Sequence, residues 1–189
     1  MPPQPVRGVL AVVGSAAGGV ESLHSGLVLP ALARGWRVAV TLTPTAARWL
    51  RPLGEIDRLE RATGLPVRDE PRLPAEPRPH PAADCHVVAP ASANTVAKLA
   101  LGIGDNQALT QTCEALGTLG VPVVVLPAVN AAHARHPAWG RHLATLREAG
   151  VHLVDDPAAH PLPEPRTSLA APELPWGAVL DTLDRVSGG

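Results

Sequence analysis

Short, unbroken apolar runs recur along the chain and alternate with stretches of helical length. Gly8 to Val13 (GVLAVV), Trp36 to Leu42 (WRVAVTL), Cys85 to Ala89 (CHVVA), Pro122 to Leu126 (PVVVL) and Val151 to Val154 are the apolar runs. A run with little or no polar alternation is expected of a strand buried on both faces. Between them the pattern predicts a helix ending near Ala33, stopped by Gly35, and a short helix through Trp49 started by Thr43-Pro44-Thr45. Further helices are expected over 54–63, from Thr95 to about Leu101, over 106–119 and over 137–149, with a short strand near Val67. The order β-α-β-α-(β)-β-α-α-β-α-β-α implies a single α/β domain, a Rossmann-like (flavodoxin-like) doubly wound parallel sheet with right-handed crossovers.

Two stretches break this rhythm. Residues 69–83 (DEPRLPAEPRPHPAA) carry five prolines, which exclude a regular helix and mark a loop or surface flap. Residues 157–175 are again proline-rich, and Trp176 to Val186 reads as a terminal helix. The expected organisation is a ligand-binding domain over 1–156 followed by a proline-rich tail over 157–189.

Composition narrows the class. A chain of 189 residues with 46% hydrophobic and 17% charged residues is long enough for a buried core and is neither disordered nor a coiled coil. The formal charge of -1 gives no electrostatic case for a nucleic-acid or membrane partner. Cys85 and Cys113, outside any CxxC spacing, suggest a reducing compartment, and no signal peptide or membrane span is read in the chain; a cytoplasmic location is expected. His133 and His136 stand at i and i+3, but no third ligand accompanies them, so no metal site is expected. The chain has no Phe, no Tyr and one lysine, Lys98, a bias of the kind a GC-rich genome imposes.

In a doubly wound sheet, ligands sit beyond the carboxyl ends of the strands. The loops there are Gly14–Gly19, Thr43–Ala46, Pro90–Thr95 and Pro127–Asn130, rich in Gly, Ser, Thr, Asn and Pro. Gly14-Ser15-Ala16-Ala17-Gly18-Gly19, between strand and helix, suits a phosphate, or is a tight turn with Gly for close packing. The second strand ends in Thr41, Thr43 and Thr45 where a dinucleotide site would want an acid for the ribose, so a mononucleotide such as FMN fits better than NAD. Thr45 can also serve as a helix cap. Trp36 and Trp49 read as core or interface packing, and Trp176 as an anchor for the tail.

Pro90-Ala91-Ser92-Ala93-Asn94-Thr95 (PASANT) after a buried strand resembles the motif of the homo-oligomeric flavin-containing cysteine decarboxylases. That family includes phosphopantothenoylcysteine decarboxylase and the peptidyl-cysteine decarboxylases of lanthipeptide biosynthesis. The likeness extends to Lys98, to Gly102 through Thr110 (GIGDNQALT) and to Pro127-Ala128-Val129-Asn130, and covers about residues 8–155. It implies FMN as cofactor, a homotrimer or a dodecamer of four trimers, and a neighbouring subunit closing the pocket. Gly14, Ser15, Thr43 and Thr45 would then take the phosphate, and Ala91, Ser92 and Thr95 the ribityl chain and ring. Asp105 would lie along the flavin or the trimer contact. Asn94 and Asn130 would hold the substrate carboxylate or its neighbouring amide. The implied reaction is oxidative decarboxylation of a cysteine, at a peptide C-terminus, in natural-product biosynthesis; the substrate is a small molecule or peptide ending in cysteine.

The chain departs from the family at two places. The family histidine that acts as base lies eight residues before the position of Asp84, which here is Glu76; His80 is four before it and His86 lies mid-strand. His80 is the expected base, with His86 as the alternative. The family's PxMNxxMW clamp becomes PAVNAAHA, with His133 where a Met would stand and near enough to act as an acid or base. The C-terminal region lacks the cysteine of the coenzyme A branch, which fits an enzyme that reoxidises FMN with oxygen. An FMN protein without decarboxylase activity, or a flavoenzyme of the same fold with another substrate, are the alternatives.

Overall fold

A computed structural model describes residues 7–156, 159–167 and 173–188. Five parallel strands form one sheet in the order β2-β1-β3-β4-β5. They are β1 (Gly8–Gly14), β2 (Trp36–Leu42), β3 (Cys85–Ala91), β4 (Val123–Pro127) and β5 (His152–Leu153). The helices are α1 (Leu29–Ala33), α2 (Pro44–Leu50), α3 (Glu55–Thr63), α4 (Ala93–Ala100), α5 (Gln107–Leu116), α6 (Ala131–Ala134), α7 (Trp139–Glu148) and α8 (Trp176–Val186). This is the α/β Rossmann-like architecture that the alternation of apolar runs and helical stretches predicts. The expected strand near Val67 is only a bridge between Thr41 and Arg68. The first crossover is also less regular than expected: a 3₁₀ turn over Val20–Ser22 and a π-helical turn over His24–Val28 precede α1.

Both sheet faces are covered, so the strands alternate between two cores. Leu10, Val12, Val38, Val40 and Val87 pack with Leu27, Val28 and Leu59 on one face. Val13, Val88, Val123 and Val125 pack under α4, α5 and α7 on the other. The terminal helix belongs to the first core: Val179, Leu180 and Leu183 are buried in it. Trp176 Nε1 donates to Ser22 Oγ (3.0 Å), so this residue anchors the tail on the chain's own body. Arg7 pairs with Asp184 on the same helix and lies 5.3 Å from the Trp36 ring centroid.

Cys85 and His86 start β3 on opposite faces. Burial pushes the Cys85 thiol up to about 12, which makes it an inert core residue. His86 is buried, its Nδ1 has no hydrogen-bond partner among the described residues, and burial pushes its pKa down to about 4. An unfolded histidine takes up its proton near pH 6.5, so between these values the unfolded chain binds more protons. The folded state therefore loses stability as pH falls through that window, by about 2 kcal/mol at about pH 5. Thermal melts from about pH 7.5 to about pH 5 check this: His86→Leu should flatten the decline, and an unchanged decline would contradict it.

Candidate functional site

The sheet order reverses between β1 and β3, the place where an open α/β sheet leaves a crevice beyond its strand ends. A cavity of about 850 Å³ lies there, lined by residues that follow all five strands. That volume is within the ~300–1,000 Å³ range of cofactor and small-molecule sites.

Local chemistry explains how each loop presents its groups. Pro44 at the first position of α2 favours an extended preceding residue, and Thr43 adopts ψ 151°. Thr43 Oγ1 accepts from Ala46 N (3.4 Å), so Thr43 is the cap. Thr45 is thereby released from capping and stands exposed on the cavity wall. Ser92 caps α4, accepting from Thr95 N (3.3 Å), and its hydroxyl lies 3.1 Å from that of Thr95. The α4 N-terminus and these two hydroxyls face the cavity together. Asn130 Oδ1 accepts from His133 N (3.0 Å) and starts α6, which leaves the Asn130 amide N–H groups as donors. Lys98 Nζ meets Asp105 at 2.5 Å and holds that carboxyl below the usual range.

Thr43, Thr45, Ser92, Asn94, Thr95, Asp105, Asn130 and His133 therefore share one cavity. Four expected site residues do not line it. Gly14 is a packing position: a Cβ there would come within 2.9 Å of Leu42 and 3.1 Å of Leu23. Ser15 is buried, and its hydroxyl joins two loops by donating to Pro90 O (2.9 Å) and accepting from Ser92 N (2.7 Å). Ala91 is buried, with its carbonyl accepting from Ala128 N (2.8 Å). These three support the cavity-lining loops without lining the cavity themselves. His80 Nε2 lies 2.7 Å from Pro66 O, and burial lowers its pKa; the proline-rich loop holds it away from its own chain's cavity. His86 points into the sheet face at the opposite end of β3 from the loop. Among the described residues no group of three or more His, Cys, Asp or Glu could hold a metal ion, His133 and His136 included.

Two contributors escaped the sequence reading. Trp49 is 49% exposed and lines the cavity one helical turn after Thr45. The i, i+4 spacing on α2 was a usable sign that both share a face. The second is a group of described residues after β5: Asp155, Asp156, His160, Leu162, Glu173 and Leu174 all line the cavity. Ala131 N donates to Pro163 O (2.9 Å), and Arg135 grips Glu164 through two bonds of 2.7 and 2.9 Å.

The fold is flavodoxin-like, and its switch-point cavity is lined by hydroxyls, amides and a helix N-terminus. The chain belongs to the Flavoprotein family, whose model matches residues 5–187. It is 31% identical over 159 residues to a Streptococcus mutans protein named "Probable phosphopantothenoylcysteine decarboxylase", covering 80% of each. It is 39% identical over 72 residues (38% of this chain) to a "Cysteine/Cysteine sulfinic acid decarboxylase" from an unknown prokaryotic organism, of which the match spans 19%. The fold superposes with a TM-score of 0.73 on the FMN-dependent cysteine decarboxylase TvaF from thioviridamide biosynthesis, at 24% identity, covering 96% of this chain and 98% of that one. Among the described residues no helix is long and apolar enough to cross a membrane.

Proposed function

We propose that the chain binds FMN in this cavity and carries out the oxidative decarboxylation of a cysteine-containing substrate. Membership of the Flavoprotein family supports the cofactor, and one observation carries its placement: Thr45, Ser92 and Thr95 converge on the switch-point cavity with the α4 N-terminus. Hydroxyls and a helix N-terminus suit a phosphate and a ribityl chain. Thr43 and Thr45 hold the phosphate; Ser92 and Thr95 face the sugar chain. The indole of Trp49, half exposed, offers a flat apolar surface to the ring. Bound there, FMN would supply the two-electron oxidation of the cysteine side chain that lets its carboxylate leave as carbon dioxide. Asn94 and the donor amide of Asn130 orient that carboxylate, and His133 stands at the same wall to move a proton.

A homotrimer or dodecamer in the cytoplasm is part of this reading. Leu101 (65% exposed) and Ile103 (42%) lie in the stretch between Lys98 and Asp105, two exposed apolar side chains that a second copy would cover. His80 acts in this scheme only if a second copy presents it, because its own chain turns it toward Pro66. That placement also favours a second reading, an FMN protein that has lost decarboxylation. One experiment separates the two: holo-protein is incubated with peptides ending in cysteine and with cysteine conjugates of pantothenate. Mass spectrometry should show loss of carbon dioxide and two hydrogens. Asn130→Ala should slow that conversion by ~10²-fold or more, as loss of a positioning contact does. Bound FMN with no product from any compound would establish the second reading instead.

A further inference from the structure

The terminal helix α8 is tied to the cavity at its first residue. Glu173, Leu174 and Pro175, which lead into the helix, line the cavity, and Trp176 N donates to Leu174 O (2.8 Å). Trp176 itself does not line the cavity. Its indole fills the space that a Cβ at Gly26 would need, and its Nε1 donates to Ser22 Oγ (3.0 Å). Ser22 passes the contact on: its hydroxyl donates to Gly19 O (2.7 Å), and its backbone N–H donates to the same carbonyl (3.0 Å). Gly19 (φ 87°, ψ -2°) closes the turn after β1, of which Ala16, Ala17 and Gly18 line the cavity. Within that turn Ala17 N donates to Ser15 O (2.8 Å) and Val20 N to Ala17 O (3.2 Å). The N–H groups of Ala16, Gly18 and Gly19 have no acceptor among the described residues, and free amides in a turn suit an anionic ligand. One indole thus joins two parts of the cavity lining, 16–18 and 173–175, that are far apart in sequence.

We propose that Trp176 is a positioning residue for FMN: its indole, seated on Ser22 and Gly26, holds the 16–18 turn and the 173–175 stretch in place for the cofactor, so that FMN binding and the seating of α8 are linked. The inference rests on FMN binding in this cavity, and it adds a residue that lies outside the cavity. A turn already ordered loses little conformational freedom when its ligand arrives, and such preorganisation appears directly as affinity. The chain from indole N–H to hydroxyl to Gly19 carbonyl is cooperative, because a hydroxyl that accepts a hydrogen bond donates a stronger one. Linkage is reciprocal: whatever the seating of α8 adds to FMN binding, FMN adds to the seating of α8. The apolar face of the helix is secured separately, by Val179, Leu180 and Leu183 in the first core. Loss of the indole N–H alone therefore frees the turn while the helix stays packed.

The test titrates FMN into the wild type, Trp176→Phe, Ser22→Ala and the double variant, each melted in parallel. Trp176→Phe keeps a ring beside Gly26 and removes the donor; Ser22→Ala removes the other end of the same bond and gives the same reading if Phe disturbs the packing. Each single variant should bind FMN about three- to tenfold more weakly, the effect of one lost hydrogen bond. The double variant should bind no more weakly than the singles, because both substitutions cut one chain of bonds. Limited trypsin digestion gives the reciprocal reading, which a merely structural tryptophan would not move. Saturating FMN should slow cleavage after Arg185, within α8, by about threefold or more in the wild type and much less in Trp176→Phe. Unchanged FMN affinity in both single variants, additive losses in the double variant, or equal protection by FMN in wild type and Trp176→Phe would overturn the proposal with the FMN site intact. A folded wild type that does not bind FMN would overturn both.

Discussion

A Gly26→Ala variant is expected to unfold well below the wild type, although it adds one methyl group to the chain. Gly26 lies in the π-helical turn beneath the terminal helix, and a Cβ there would sit 2.1 Å from Trp176 Cδ1 and 2.3 Å from Nε1. The indole is a rigid plane already fixed by its bond to Ser22, so it must leave its seat rather than adjust. Its departure loosens α8, which buries Val179, Leu180 and Leu183 in the first core. Overpacking of this kind costs about 3 kcal/mol, or ~6–12 °C in Tm for a chain of this size. Thermal denaturation in a double-mutant cycle checks the mechanism. Gly26→Ala should cost almost nothing once Trp176→Ala has removed the ring. A Gly26→Ala protein as stable as wild type would show that the helix is not seated there.

The second large effect is on the ligand. Thr45→Glu places a carboxylate on the cavity wall at an exposed position, where the fold has no reason to resist it. Against a phosphate dianion held by the same loop, that charge should weaken FMN binding on the order of 100-fold. Thr45→Val, which only removes a hydroxyl, should weaken it about three- to tenfold. Titration of apo-protein with FMN, alongside a thermal melt of each variant, separates a lost contact from a lost fold. Equal affinity in wild type and Thr45→Glu would remove the α2 loop from the phosphate site.

The sheet was legible because β-branched apolar runs such as VVV in β4 have no polar face to offer solvent. Much of the site was legible for a related reason: the residues that follow each strand must lie at one end of a parallel sheet, so Thr43, Ser92 and Asn130 could be placed together before their contacts were known. What escaped depends on partners distant in sequence. Nothing local marks Ser15 as a link between the β1 and β3 loops; its hydroxyl donates to Pro90 O and accepts from Ser92 N. The cavity-lining residues after β5 have no periodicity to read, since their places are set by Arg135, Ala131 and Ser22. Helix α6 is four residues long and depends on the Asn130 cap, too short for any hydrophobic pattern. The first crossover broke into unlike turns where Gly18, Gly19, Gly26 and Pro30 interrupt a helical stretch.

The lack of Phe and Tyr carries more meaning with the structure in hand. Trp36 and Trp139 are buried, so Trp49 is the aromatic ring that the cavity has to offer a flavin. Flavin binding in this cavity is tested most directly by equilibrium dialysis of purified apo-protein against FMN, read by flavin absorbance and by tryptophan emission. One FMN per chain should be retained, with emission quenched and the Trp49→Leu protein losing the largest share of that quenching. A protein that stays colourless and unquenched at saturating FMN, while folded by circular dichroism, would contradict it.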